Sequence, residues 1–335
     1  MENLDDLVRQ LRDPGTPEEQ LRAADALFNA VPKGQVSPDI EELAARAIAA
    51  NPGMTVPPIA VRAGRVLINH QDPNAQLQGA RLLLQHLNVL DDDETLGQLF
   101  MVAGTPGVEE LAVQAIAETI DPAMGERVGR ILLNHPVGPM LHLQGARLLL
   151  PRINELAADP TQVGTLAQLL RIVTHENNPG TPEEQLRAAD ALFNAVPRGD
   201  QMPPGAEERA ARVIAANPGM TVPPIAVRAG RILLNLPDMQ LQGVHLLLQH
   251  LNVLDDDETL GQLFMAAGTP GVEEAAVQAI AETLDPTMGK RVGHILLNHP
   301  VGPMLQLQGA RLLLPHLDAL DDETRQRVQT LLDQQ

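Results

Sequence analysis

The sequence contains no cysteine, tryptophan or tyrosine, and only four phenylalanines among its 335 residues. Without cysteine, neither disulfides nor thiolate chemistry is available. Because aromatic side chains are so few, Leu, Ala, Val and Ile have to fill the interior. Such a core suits helices that pack at close range better than a β-sandwich rich in aromatic residues.

Basic residues are also scarce, since 24 Lys and Arg stand against 43 Asp and Glu and give a formal net charge of −19. A nucleic acid is bound through cations that release its counterions, so this balance disfavours a nucleic-acid partner. It favours a protein or peptide partner that is basic overall.

Long apolar runs are missing as well. The N-terminal segment MENLDDLVRQ lacks the charged and apolar regions of a secretory signal, and no run approaches the 18 or so residues that span a bilayer. We therefore expect no membrane association and a cytoplasmic location, or delivery to a host cell by a leaderless route.

Motifs for catalysis, metals and cofactors are not found in the sequence. It contains no HExxH, GxxxxGK, GxSxG or GxGxxG, and the DDDE runs lack the spacing and glycine of a calcium loop. The ten histidines show no zinc-site spacing with a supporting carboxylate, so we interpret them as helix-end or surface residues. The expectation is a protein that is not an enzyme, with no catalytic residue, cofactor or metal.

What the sequence does contain is repetition. PGTPEEQLRAADALFNAVP recurs letter for letter at Pro14 and Pro179, and LLLQHLNVLDDDETLGQLFM recurs at Leu82 and Leu246. We interpret the chain as two near-identical copies of about 165 residues. The predicted domains are 1–178, including an N-terminal cap helix, and 179–335, ending in a cap helix, within one continuous array.

A second, weaker repeat lies inside each copy. Segments such as LRAADAL, LAARAI, VRAGRVL and LQGARLL return every 15 to 22 residues, which is the length of one helix with a short turn. Capping boxes at Thr16 and Thr181 and proline- and glycine-rich turns separate these segments. The pattern predicts an all-α fold with about nineteen helices and no strands.

The predicted helix count of nine in each copy is odd, which would reverse the helix direction in the second copy of a strictly alternating array. Either the array mixes two- and three-helix units, or one helix has been miscounted.

At this point the pattern resembles HEAT and armadillo repeat proteins, with stacked helix pairs, small residues at the crossings and no strands. The resemblance implies an α-solenoid, a superhelical array of stacked antiparallel helices, whose concave face binds an extended peptide or another protein. Helical-repeat proteins rich in Ala, Leu and Pro are also common among bacterial effectors.

The string LQGARLLL starts at Leu77, Leu143 and Leu307, and LQGVHLLL starts at Leu241. The central glycine costs about 1 kcal/mol of helix propensity, which a close approach of a neighbouring backbone would offset. The polar residues of each string lie three or four positions apart and so form one stripe. Stacking would place the stripes side by side as a ladder, and the predicted partner-binding residues are Gln78, Arg81, Gln85, Gln144, Arg147, Gln242, His245, Gln249, Gln308 and Arg311.

The ladder has an alternative explanation, in which each arginine covers apolar surface and pairs with a neighbouring carboxylate. Pro151 and Pro315 follow two of the strings and predict a bend or break of the helix there. The sequence also begins and ends partway through a repeat, so terminal caps or a piece of a longer array would both fit.

The leading interpretation is a non-enzymatic scaffold for a protein or peptide. The alternative is DNA binding by an array resembling the transcription-activator-like effectors, which also use helix pairs. The acidic charge and the lack of a regularly spaced variable two-residue loop count against this alternative.

Overall fold

The computed structural model describes residues 4–13, 15–32, 35–105, 107–196, 202–269 and 271–333. These residues form twenty α-helices and seven short 3-10 helices, and no strand occurs among them. The all-α expectation is confirmed, with one α-helix more than predicted.

Contacts divide the chain into two units. Unit 1, Met1–Arg152 with Ile172–Gly180, contains the first nine α-helices. They are α1 (Leu4–Arg12), α2 (Pro17–Ala30), α3 (Pro38–Ala49), α4 (Pro57–Ile68), α5 (Pro73–Leu84), α6 (Asp93–Ala103), α7 (Glu109–Thr119), α8 (Pro122–Asn134) and α9 (Pro139–Leu149). The prediction of one continuous array of residues 1–178 and 179–335 stays a prediction.

Unit 2 is Ile153–Arg171 with Thr181–Gln335, and the division passes through α11 (Val163–Val173). The other helices of unit 2 are α10 (Ile153–Ala158), α12 (Pro182–Ala195), α13 (Ala206–Ala216), α14 (Pro223–Leu234), α15 (Gln240–Leu248), α16 (Asp257–Ala267), α17 (Glu273–Thr283), α18 (Pro286–Asn298), α19 (Pro303–Leu313) and α20 (Asp322–Asp333). The 3-10 helices are Pro52–Met54, Leu87–Val89, Leu150–Arg152, Pro160–Gln162, Pro218–Met220, Leu251–Val253 and Leu314–Ala319.

Prolines and carboxylates set the helix starts. Half of the α-helices begin at a proline, whose missing N–H would have no partner in the first turn. The capping boxes predicted at Thr16 and Thr181 are both formed. Asp92 and Asp256 accept hydrogen bonds from the backbone N–H groups of Thr95 and Thr259 at 2.6 Å, so the DDDE runs cap the starts of α6 and α16.

The prolines after two of the leucine-rich strings end their helices. Helix α9 stops at Leu149, and Pro151 lies in the 3-10 helix that follows, while Pro315 does the same after α19. The short α10 begins directly after the first of these 3-10 helices. The sequence period from α2 to α11 therefore contains ten α-helices, and the predicted count of nine was wrong by one.

Most of the described helices pack on a helix one or two positions away in the chain, and the contacts between every second helix produce two layers. In unit 1 one layer is α2, α4, α6 and α8, and the other is α1, α3, α5, α7 and α9. Unit 2 repeats the arrangement with α14, α16 and α18 in one layer and α13, α15, α17 and α19 in the other. We call the layers that contain α5 and α15 the odd layers.

The glycine of the LQGARLLL string lies at a close helix crossing. A Cβ atom on Gly79 would be 2.7 Å from the backbone N of Ile68 and 2.9 Å from the backbone O of Gly64. Gly64 meets Leu83 while Ile68 meets Gly79, so α4 and α5 run antiparallel. Gly145, Gly243 and Gly309 repeat the contact, which confirms the predicted packing role.

The four phenylalanines lie in the core. Phe100 and Phe264 are 0% exposed, and Phe28 and Phe193 are buried beneath arginine side chains. The guanidinium carbon of Arg62 lies 4.5 Å from the ring centre of Phe28.

Four arginines on even-numbered helices donate hydrogen bonds to backbone carbonyl groups near a neighbouring helix of the same layer. Arg62 on α4 donates to the carbonyl groups of Phe28 and Val31 at the end of α2, at 2.9 and 2.5 Å. Arg228 does the same to Phe193 and Val196. Arg127 and Arg291 donate to the carbonyl groups of Leu90 and Leu254 in the same way. This role was not predicted from the sequence, although these arginines recur at the same distance after the helix start.

Candidate functional site

The predicted partner-binding residues lie on the outer surface of the odd layers, on α5, α9, α15 and α19. Eight of the ten are exposed, and the other two, Gln144 and Gln308, are half-buried. The burial pattern explains the placement, because the glycine side of each helix faces its partner and the polar stripe is left outside.

On α5 the last predicted residue of the stripe lies just past the end of the helix. Helix α5 ends at Leu84, and Gln85 is its C-cap residue. Asn88, three residues after Gln85, binds the turn between α7 and α8. It donates to the carbonyl oxygen of Thr119 and accepts from the N–H of Asp121 at 3.4 Å. Asn252 binds Thr283 and Asp285 in the same way, so these asparagines are structural.

The predicted ladder is interrupted, and this part of the prediction was wrong. Helix α7 packs between α5 and α9, and α17 packs between α15 and α19. The stripes of α5 and α9 are therefore separated by the exposed side of α7. The reason is the internal period of the sequence, since only every second helix of an odd layer carries the LQG string.

A groove with a volume of about 370 Å³ lies between α5 and α7. Its lining is predominantly apolar, and Leu111 is 45% exposed within it. The lining residues are Arg81, Leu84, Gln85, Leu111, Gln114, Ala115, Glu118 and Thr119. Two predicted residues, Arg81 and Gln85, thus form one wall of a concave surface.

The other wall comes from α7, none of whose residues was predicted from the sequence to bind a partner. Leu111, Gln114 and Glu118 are spaced by three and four residues and so share one face of α7. Ala112 and Ile116, on the opposite face, are buried. A leucine on the polar face of EELAVQAIAET was the available signal, because an apolar residue there is not needed for the core.

Charges of both signs line the groove without meeting. Glu118 accepts a hydrogen bond from Nε2 of Gln114 at 2.8 Å. Arg81 is exposed and has no ion-pair or hydrogen-bond partner among the described residues. The alternative in which each stripe arginine pairs with a neighbouring carboxylate therefore does not apply to Arg81.

Two further cavities lie in unit 1 and unit 2. One, of about 410 Å³, is polar and contains Arg65 with Asp91 and Asp92, at distances of 2.6 and 2.5 Å. The hydrogen bond with Arg65 holds the pKa of Asp91 below its usual value. The other, of about 400 Å³, lies beside Met265 on α16. Because Arg65 is already paired, the first cavity offers no free cation to a ligand.

Three of the described histidines lie at helix ends, away from the groove. His135 and His299 lie against Gly97 and Gly261, where a Cβ atom would be 2.7 and 2.8 Å from the imidazole rings. His86 at the end of α5 is half-buried, its Nε2 atom has no partner among the described residues, and burial lowers its pKa. Within the part of the chain that the structure describes, no three His, Asp or Glu side chains converge as metal ligands would.

Among the described helices, none is both long and apolar enough to cross a bilayer. In comparisons with protein-family models, with curated proteins and with solved structures, no significant match to this chain was found.

Proposed function

We propose that this protein is a non-enzymatic scaffold that binds an extended peptide or another protein on the outer surface of its odd layers. The observation that carries the proposal is the groove between α5 and α7, which combines an apolar floor with the Arg81 guanidinium, a cation that has no partner among the residues the structure describes. Exposed leucine beside an unpaired cation has no evident role in packing. Such a combination is typical of surfaces that bind other chains.

The composition supports a partner that is basic overall, since the net charge of −19 attracts cations over long distances. Arg81 and Gln85 would then make local contacts, with the polar groups of the groove walls binding the partner's backbone. We propose that the two sequence copies arose by duplication and that the layers wind into a superhelix whose concave face includes this groove. Such a scaffold would work in the cytoplasm, or in a host cell after leaderless delivery.

The proposal is tested by selecting peptides from a random displayed library on the intact protein and measuring their affinity by fluorescence anisotropy. A variant with Arg81, Arg147, His245 and Arg311 replaced by alanine is expected to bind the selected peptides about tenfold more weakly or worse, because charge-assisted contacts are lost. The control replaces the exposed cations Arg22 and Lys290, which lie on α2 and α18 of the other layers, by alanine.

If no peptide is enriched on the intact protein, or if the fourfold variant binds as well as the control, the scaffold proposal is wrong. In the same assay, duplex DNA is expected not to bind at low or moderate salt, since the chain lacks the cations that release counterions. Binding to DNA that weakens steeply with added salt would favour the DNA-binding alternative.

A further inference from the structure

The two sequence copies differ in a selective way around the groove. The segment 77–120 aligns without gaps with 241–284 and differs from it at five positions. Those positions are Ala80/Val244, Arg81/His245, Val102/Ala266, Leu111/Ala275 and Ile120/Leu284. All the other side chains are identical, including those of the turns and of the exposed α6 surface.

Burial divides the five positions into two kinds. At three of them, Ala80, Val102 and Ile120, one aliphatic residue replaces another, and the side chains are buried or half-buried. The remaining two, Arg81 and Leu111, are exposed, and both line the groove between α5 and α7. Within this segment, the differences at exposed positions of the first copy are thus confined to the groove.

The first groove fits a carboxylate beside an aliphatic side chain. The guanidinium of Arg81 has no partner among the described residues, and a carboxylate is the group it binds best, through two parallel hydrogen bonds. Leu111, which is 45% exposed, would gain from contact with an aliphatic side chain, as would the adjacent Leu84.

The equivalent surface between α15 and α17 keeps the neighbouring glutamine and glutamate residues. It lacks both the guanidinium and the exposed leucine of the first groove. Gln278 still donates to Glu282 at 2.8 Å, and Gln249 still follows the end of α15. His245 replaces the five N–H donors of a guanidinium with the two nitrogens of an imidazole. Ala275 lacks the branched end of the leucine side chain, so α17 projects less far there than α7 does at Leu111.

We propose that these surfaces are two peptide subsites of different specificity. The α5–α7 subsite binds an acidic residue next to an aliphatic one, and the α15–α17 subsite binds a neutral residue next to a bulkier apolar one. This inference rests on the proposed scaffold function and adds the chemistry of the bound segment.

The test exchanges the two residue pairs between the subsites of the intact chain. One variant carries Arg81→His with Leu111→Ala, and the other carries His245→Arg with Ala275→Leu. Each substitution introduces the residue that the equivalent helix already has, so both variants should fold, which circular dichroism checks. The probes are three fluorescein-labelled peptides with identical Gly-Ser-Lys flanks and a central Glu-Leu, Gln-Leu or Gln-Phe pair.

Native protein is expected to bind one equivalent of the Glu-Leu peptide, and to bind the Gln-Leu peptide about tenfold more weakly because a charge-assisted pair is lost. The Arg81→His/Leu111→Ala variant should lose the preference for Glu-Leu, and the His245→Arg/Ala275→Leu variant should bind a second equivalent. For the Gln-Phe peptide the expected changes are reversed. The Arg81→His/Leu111→Ala variant should gain binding, and the His245→Arg/Ala275→Leu variant should lose it.

Unchanged preferences and stoichiometry in both variants would overturn the subsite assignment while leaving the scaffold proposal intact. The subsite assignment also fails if none of the three probes binds native protein but library-selected peptides do. Failure of both the probes and the library would reject the scaffold proposal itself.

Discussion

Asp25 and Asp190 occupy the same position in two helices of identical sequence, yet their surroundings differ. The Asp25 carboxylate accepts a hydrogen bond from Asn29 at 3.4 Å. Oδ1 of Asp190 is buried without a hydrogen-bond partner among the described residues, and burial raises the pKa of Asp190 to about 6. Packing, and not local sequence, therefore sets the properties of this carboxylate.

Replacing Asp190 by asparagine is expected to stabilise the protein at pH 7.5 by about 1 kcal/mol, because the ionised carboxylate is costly there and is partly screened by solvent. The raised pKa means that the folded state holds the proton more tightly than the unfolded state. Ionisation thus lowers stability as the pH rises through about 6, and the advantage of Asp190→Asn should shrink as the pH falls from 6 towards 4. Urea unfolding across this range measures it.

The control for this prediction is Asp25→Asn, which changes the same position of the identical helix. It should show little stabilisation at pH 7.5, because Asp25 already has a hydrogen-bond partner. Equal effects of the two substitutions would contradict the assignment of the pKa shift to the surroundings of Asp190.

Gly79 is a second residue at which the contact decides the outcome. Gly79→Ala should destabilise the fold by about 2 kcal/mol in spite of the better helix propensity of alanine, since its Cβ would be 2.7 Å from a backbone nitrogen that cannot move freely. Gly164→Ala on α11 is the control, because no atom lies within 4 Å of a Cβ built there. A neutral Gly79→Ala in urea unfolding would show that the crossing is looser than the structure indicates.

At the scale of the helix, a side chain from one element completes the end of another. Oε1 of Glu109, at the start of α7, accepts hydrogen bonds from the N–H groups of Met140 and Leu141 at 2.8 and 3.0 Å. These N–H groups belong to the first turn of α9, where no helical carbonyl is available to them. Glu273 binds Leu305 in the same way at 2.9 Å in the second copy.

Glu109→Ala is expected to cost about 2 kcal/mol, because two donors lose a charged acceptor at the positive end of the α9 dipole. The adjacent exposed Glu110→Ala should cost less than about 0.5 kcal/mol. Hydrogen exchange at Met140 and Leu141 locates the effect, since their amides should exchange faster in the first variant only. Equal exchange in both variants would rule out this capping role.

The sequence predicted the helices, their caps and the glycine crossings, because each follows from a local signal such as Thr-Pro-Glu-Glu or a glycine within a leucine-rich string. It did not predict that Glu109 caps α9 or that Arg62 binds the carbonyl groups at the end of α2, since both contacts join residues about thirty positions apart. Only one wall of the candidate groove was predicted from the sequence. Arg81 and Gln85 stood out by repetition, whereas Leu111 became visible only once α7 was seen packed beside α5.

At the scale of the whole molecule, the extensive helix contacts of the described residues join elements no more than two helices apart in the sequence. The core is correspondingly divided into clusters, one formed mainly by α1 to α5, another by α4 to α9 and a third by α14 to α19. In such a chain, stability is a sum of terms between neighbours, so a local defect need not unfold distant elements.

This neighbour-only packing predicts where a defect will be felt. In Gly79→Ala, hydrogen exchange should accelerate in α4, α5 and the helices that touch them, while α16 to α19 keep their protection. Gly243→Ala, at the equivalent crossing of α14 and α15, should accelerate exchange in these two helices and in those that touch them, while α4 and α5 keep their protection. Because the two substitutions are chemically identical, each serves as the control for the other in exchange measured by mass spectrometry. Loss of protection throughout the chain in either variant would mean that the protein unfolds as one cooperative unit, and the additive description of its stability would be wrong.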